Sequence, residues 1–73
     1  MERATAKMAG KLAGAILRYG KVNAYRTGEA SFRDYCDLAT GSELSTGELD
    51  KLATMVEKRV VAQYRAYEGR DDQ

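Results

Sequence analysis

The segment 46–67 carries its apolar residues at intervals of three and four, which is the spacing of an amphipathic helix. At about 100° per residue, one face of this helix takes Leu49, Leu52, Ala53, Val56, Val60, Tyr64 and Tyr67. Ser45 followed by Glu48 matches the S-x-x-E capping box that begins many helices. The pattern therefore predicts a helix from about 46 to about 67, with its charged residues on the opposite face.

The first third of the chain predicts a second long helix, from about 2 to about 25. Its larger residues form one stripe: Met8, Leu12, Ala15, Ile16 and Tyr19. Small residues form a flank beside that stripe: Ala6, Gly10, Ala13, Leu17 and Ala24. Gly20 is a weak point within the segment, and Gly28 is a predicted C-terminal stop. Two apolar faces on one helix indicate packing against two neighbours.

A short helix is predicted between the two long ones, from about 32 to about 39. Ser31 and Asp34 have the spacing of an N-terminal cap with an acidic first turn, and Gly41 is the expected stop. No segment alternates as a strand does. The fold class is therefore expected to be all-α, a single domain over 1–73 with two long antiparallel helices and a short helix between them. Residues 69–73 are expected to form a flexible tail.

Composition suggests that this fold does not complete its own core. Only twelve of the 73 residues are Leu, Ile, Val or Phe, and a domain this small is marginal alone. We therefore expect a homodimer. The expected interface is the small flank together with one polar residue in the apolar stripe of the last helix: Ala6, Gly10, Ala13, Leu17 and Gln63. The alternative for Gln63 is a partly exposed position at the edge of that stripe.

Charge is unevenly distributed along the chain. Residues 1–27 have a net charge of +5 and residues 28–73 a net charge of −4. The basic residues of the first helix share a face: Arg3, Lys7, Lys11, Arg18 and Lys21. This face is a candidate to bind DNA or RNA phosphates or an acidic protein surface, and the alternative is a solvated helix face.

The five tyrosines add candidates for partner binding, because tyrosine is favoured at interfaces. Tyr19, Tyr64 and Tyr67 are expected at the edge of the core. Tyr25 and Tyr35 are expected at the surface, where they join the basic residues as partner-binding candidates.

The residue types of this chain give little support for catalysis or metal binding. The chain has no histidine and one cysteine, so the commonest general base and any CxxC metal site are absent. The acids Asp34, Asp37, Glu43, Glu48 and Asp50 lack the spacing of a metal loop. Cys36 stands beside aspartates and is interpreted as a small buried hydrophobe. We therefore expect no enzyme activity, no metal and no cofactor.

A helix-turn-helix is disfavoured by charge over residues 32–56. Glu48 and Asp50 would occupy the turn that faces the major groove, where carboxylates are repelled by phosphates. No apolar run approaches the roughly 20 residues that span a bilayer, so a cytoplasmic location without membrane contact is expected. The favoured hypothesis is a small protein-binding regulator, adaptor or inhibitor of phage, plasmid or bacterial type. The alternative is a nucleic-acid-associated regulator that uses the basic face of the first helix.

Overall fold

The fold consists of four helices in the computed structural model, which describes residues 4–19 and 22–64. They are α1 (Ala6–Arg18), α2 (Val22–Arg26), α3 (Phe32–Ala39) and α4 (Thr46–Gln63). No strand occurs within these ranges. The predicted all-α class is confirmed.

Hydroxyl side chains begin three of the helices. Ser31 Oγ accepts a hydrogen bond from Asp34 N at 3.3 Å, and Ser45 Oγ accepts one from Glu48 N at 3.4 Å. Both caps were predicted. Thr5 caps α1 in the same way, because its hydroxyl accepts from Met8 N at 3.2 Å. Each cap satisfies a backbone N–H that has no partner inside its own helix.

Glycines in the left-handed region follow α2 and α3. Gly41 has φ +69°, and its N–H donates to Leu38 O while Ser42 N donates to Asp37 O. This pair of bonds is the Schellman motif, which satisfies the last carbonyls of α3. Gly28 has φ +88° and follows α2. Both predicted stops are confirmed, although Gly28 ends a separate short helix.

The boundaries of the two long predicted helices were partly wrong. The segment 2–25 forms two helices, because α1 ends at Arg18 and Tyr19 is its C-cap. Gly20, whose low helix propensity marked the weak point, lies outside the described residues. The last helix ends at Gln63 rather than near 67, because Tyr64 is extended. Tyr67 and the predicted tail 69–73 also lie outside the described residues.

The core is formed where α1 and α3 pack on α4. Three α4 side chains, Leu52, Val56 and Val60, are fully buried, and Leu49 is nearly so. They meet buried residues from the remaining elements: Ala4, Ala9, Ala13, Ile16, Val22 and Cys36.

The face that α1 turns inward lies between the predicted large-residue stripe and the predicted small flank. Ala9, Ala13 and Ile16 are buried, whereas Met8 and Leu12 are partly buried and Tyr19 is 69% exposed. The small residues therefore make the closest contact with α4, and the expectation that Tyr19 edges the core was wrong. Alanine is compatible with either face, so periodicity alone could not choose between them.

The two long helices run in the same direction. Just before α1, Ala4 N donates to Glu48 Oε1 in the first turn of α4, at 3.0 Å. Farther along both helices, the Arg59 guanidinium lies beside Gly10, 3.5 Å from the position of an added Cβ. Contacts thus follow the same order in both helices, and the expected antiparallel pairing was wrong. The reason is that α2 and α3 together return the chain to the end where α1 begins.

Gly14→Ala is expected to raise the free energy of unfolding by about 0.5–1 kcal/mol, because glycine inside a helix carries an entropic cost. An added Cβ would meet the Arg18 guanidinium at an ordinary 3.9 Å. Urea denaturation followed by circular dichroism measures the change. Gly28→Ala is the matched control: its φ of +88° is strained for alanine, so a loss of about 1 kcal/mol is expected. A destabilised Gly14→Ala chain would contradict the helical packing described here.

Candidate functional site

An apolar groove opens where the end of α1, α2 and the start of α3 meet. Its volume is about 380 Å³. We call it the aromatic groove, and it is lined by Ala15, Ile16, Tyr19, Ala24, Tyr25, Ala30 and Tyr35. It exists because α1 ends at Arg18 and α2 ends at Arg26, so that residues of α2 line the space between α1 and α3.

Ring contacts hold one wall of the aromatic groove in place. The Tyr25 ring stacks on Phe32, with centroids 4.6 Å apart and planes 24° apart. Tyr25 also meets Tyr35 edge to face at 6.3 Å and 81°. These are favourable arrangements for aromatic pairs. Burial, followed by the neighbouring Tyr35 and Cys36, raises the pKa of the Tyr25 hydroxyl above its ordinary value. Tyr25 and Tyr35, which were expected at the surface, therefore contact each other and are partly buried against the core.

A second depression extends the aromatic groove along α3. Its volume is about 320 Å³, and it shares Tyr25, Ala30 and Tyr35 with the groove. Leu38, which is 80% exposed, lies at its outer side. Sequence reasoning missed Leu38, although a signal was present. Leu38 follows the buried Cys36 by two positions, which turns it about 200° away from the core.

Opposite charges flank the two sides of this surface. On α1, the Arg18 guanidinium lies 5.9 Å from the centre of the Tyr19 ring. Lys11 precedes the groove residue Ala15 by one turn and is exposed. On the other side, Glu29 and Asp34 line the second depression. The apolar surface thus has a basic α1 side and an acidic side formed by α3 and the loop that precedes it.

The predicted basic face is only partly covered by the described residues. Lys7, Lys11 and Arg18 are exposed on one face of α1, and none of the three forms an ion pair with another residue of the described ranges. Arg3 and Lys21 lie outside those ranges.

The residues predicted for an oligomer interface are dispersed. Ala13 is only 3% exposed and belongs to the core of its own chain, so it offers a second copy almost no surface. Leu17 is partly buried against the same core, and Gly10 lies beside Arg59. Ala6 and Gln63 are exposed. Of the small flank, Ala13 and Leu17 therefore serve packing within the chain.

The acidic residues have structural partners that their sequence spacing did not reveal. Asp50 pairs with Arg33 and joins α4 to the first turn of α3. Glu48 accepts from Ala4 N, and Asp37 accepts from Ser42 Oγ. Across residues 4–19 and 22–64, no three metal-ligating side chains form a group suited to a metal ion.

Cys36 is buried in the core, as the sequence interpretation proposed. Burial raises the pKa of its thiol to about 11, because the apolar surroundings disfavour the thiolate. A neutral, enclosed thiol is a poor nucleophile.

The chain was also compared with protein-family models, characterised proteins and solved structures, and none of these matches it. Among the described helices, none has the length and apolar character needed to cross a bilayer. The function therefore has to be argued from the surface itself.

The raised pKa of Cys36 predicts a stability that falls at alkaline pH. The thiol pKa is about 9 when unperturbed and about 11 in the fold, so the folded chain holds the proton more tightly. The stabilisation that this tighter proton binding gives the fold is fully present below about pH 9 and is lost as the pH rises toward about 11. With increasing pH, the free energy of unfolding should fall more steeply for the wild type than for Cys36→Ala. The two slopes should differ by up to about 1.4 kcal/mol per pH unit. Urea titrations across this range measure both slopes, and equal slopes would contradict the assignment.

Proposed function

We propose that this chain is a non-enzymatic protein-binding module, a small helical regulator, adaptor or inhibitor that acts by occupying a partner surface through the aromatic groove. One observation carries the proposal. Leu38 is four-fifths exposed at one end of a continuous apolar surface, and the exposed Tyr19 stands at the other end.

The continuity of this surface supports a binding role. A single exposed leucine is common on protein surfaces, but an exposed leucine joined to an aromatic groove resembles an interaction site. Tyrosine offers a large apolar ring at low conformational cost, which is why it is enriched at binding surfaces. A groove between helices suits the apolar face of a partner helix.

A homodimer in the cytoplasm is part of the same proposal. Its support is the small number of large aliphatic residues and the single cysteine, which is typical of a reducing compartment.

Nucleic-acid binding is the second candidate, and one observation favours it. Lys7, Lys11 and Arg18 are exposed along one face of α1, a helix that contains no acidic residue. Such a row suits contacts with successive phosphates, which give affinity without base specificity.

Leu38→Lys is expected to abolish partner capture while leaving the fold intact, because the side chain is exposed and a buried ammonium at the interface is costly. The immobilised chain is incubated with lysate from its source cells, and bound proteins are compared by mass spectrometry. Ala62→Lys is the matched control, since it adds the same charge at an exposed α4 position outside both depressions. Proteins held by the wild type and the control but lost from Leu38→Lys support the proposal, and identical sets from all three chains contradict it.

Salt dependence tests the second candidate. Three phosphate contacts predict that the logarithm of the affinity for duplex DNA falls with the logarithm of salt concentration at a slope of roughly −3. Fluorescence anisotropy with a labelled duplex measures this slope. Lys11→Glu should weaken binding and reduce the magnitude of the slope by about 1, whereas Lys58→Glu, the same change on α4, should have the smaller effect. No binding at low salt, or equal effects of the two variants, would exclude this face as the contact.

A further inference from the structure

The aromatic groove has a charge arrangement that is complementary to itself. Its α1 side carries Lys11 and Arg18, and the opposite side carries Glu29 and Asp34. A two-fold axis that lies in the interface and runs between the basic and the acidic side would bring the basic side of one chain against the acidic side of the other. The same axis repeats this pairing with the roles exchanged, so both charged sides are matched at once.

The apolar residues between the charged sides suit the same symmetry. Leu38 projects from α3 at one end of the surface and Tyr19 from α1 at the other. In a two-fold pair, each chain would present its Leu38 to the α1 side of its partner, where Tyr19 and the groove offer an apolar contact. Two copies then cover Tyr19 and Leu38, the two most exposed of the large hydrophobic side chains among the described residues, which offsets the small core of a 73-residue chain.

We propose that the occupant of the aromatic groove is a second copy of this chain, docked about a two-fold axis with its acidic side on the basic side of the first. This inference rests on the proposed function and names the partner that the groove takes. A foreign protein would need its own matching row of acids and bases, whereas a second copy has both in the required places. The interface lies on the face formed by α1, α2 and α3, and its groove is lined by none of the α1 residues Ala6, Gly10, Ala13 and Leu17.

Charge reversal tests this pairing directly. A basic-side variant carries Lys11→Glu and Arg18→Glu, and an acidic-side variant carries Glu29→Lys and Asp34→Lys. Each variant alone sets like charges against like, so its self-association should weaken by at least about tenfold. An equal mixture of the two variants should regain a species of twice the 8.1 kDa chain mass, because each variant then meets its complement. Sedimentation velocity over a range of concentrations measures the masses, and circular dichroism verifies that each variant keeps the wild-type helicity.

Leu38→Lys and Ala62→Lys separate this interface from any other. The wild type and Ala62→Lys should dimerise, and Leu38→Lys should remain monomeric with unchanged helicity. A wild-type chain that is monomeric at all concentrations overturns the inference, as does a dimer that neither Leu38→Lys nor charge reversal weakens. If the wild type is monomeric and Leu38-dependent capture of another protein persists, the proposed function stands and the second copy is excluded as the occupant. If neither self-association nor Leu38-dependent capture occurs, both fail.

Discussion

Two of the three other described helices, α1 and α3, depend on the apolar face of α4. Leu52, Val56 and Val60 are fully enclosed, and burial of such a side chain contributes about 1.5–3 kcal/mol relative to exposure. Both α1 and α3 pack on this face. What α1 contributes in return is largely alanine, which permits close approach but buries little area in each contact. The consequence is a tight and small core, with the larger side chains Tyr19 and Leu38 left outside it.

The features that were predictable from sequence are those decided within one helical turn. The caps at Ser31 and Ser45 and the stop at Gly41 depend only on a hydroxyl, a nearby N–H or a left-handed glycine, and all three appear where expected. The apolar stripe of α4 was also clear, because leucine and valine contrast sharply with the charged residues opposite. Alanine gives no such contrast, so the prediction placed Ile16 and Ala13 on different faces of α1 and omitted Ala9, although all three are buried.

Relative helix direction and the groove required information from the whole chain. The sequence pattern treated residues 2–25 as one helix, and two long helices joined by a short one were expected to pair antiparallel. Residues 22–26 instead form a separate helix, and α1 runs in the same direction as α4. Tyr25, which lies on this separate helix, meets Tyr35 of α3. Residue type had singled out these two tyrosines, but nothing local indicated that they share a groove or that Arg33 would pair with Asp50.

The common direction of α1 and α4 has a mechanical consequence. Ala4 lies at the first turn of α4, and Tyr64 lies at its far end, about 27 Å away for an 18-residue helix. A force applied between these two residues would therefore act along the helix axes and load the α1–α4 interface in shear, across many side chains at once. In an antiparallel pair the same two points would lie side by side, and the interface would open one contact at a time. The arrangement of this chain thus favours resistance to stretching over ease of unzipping.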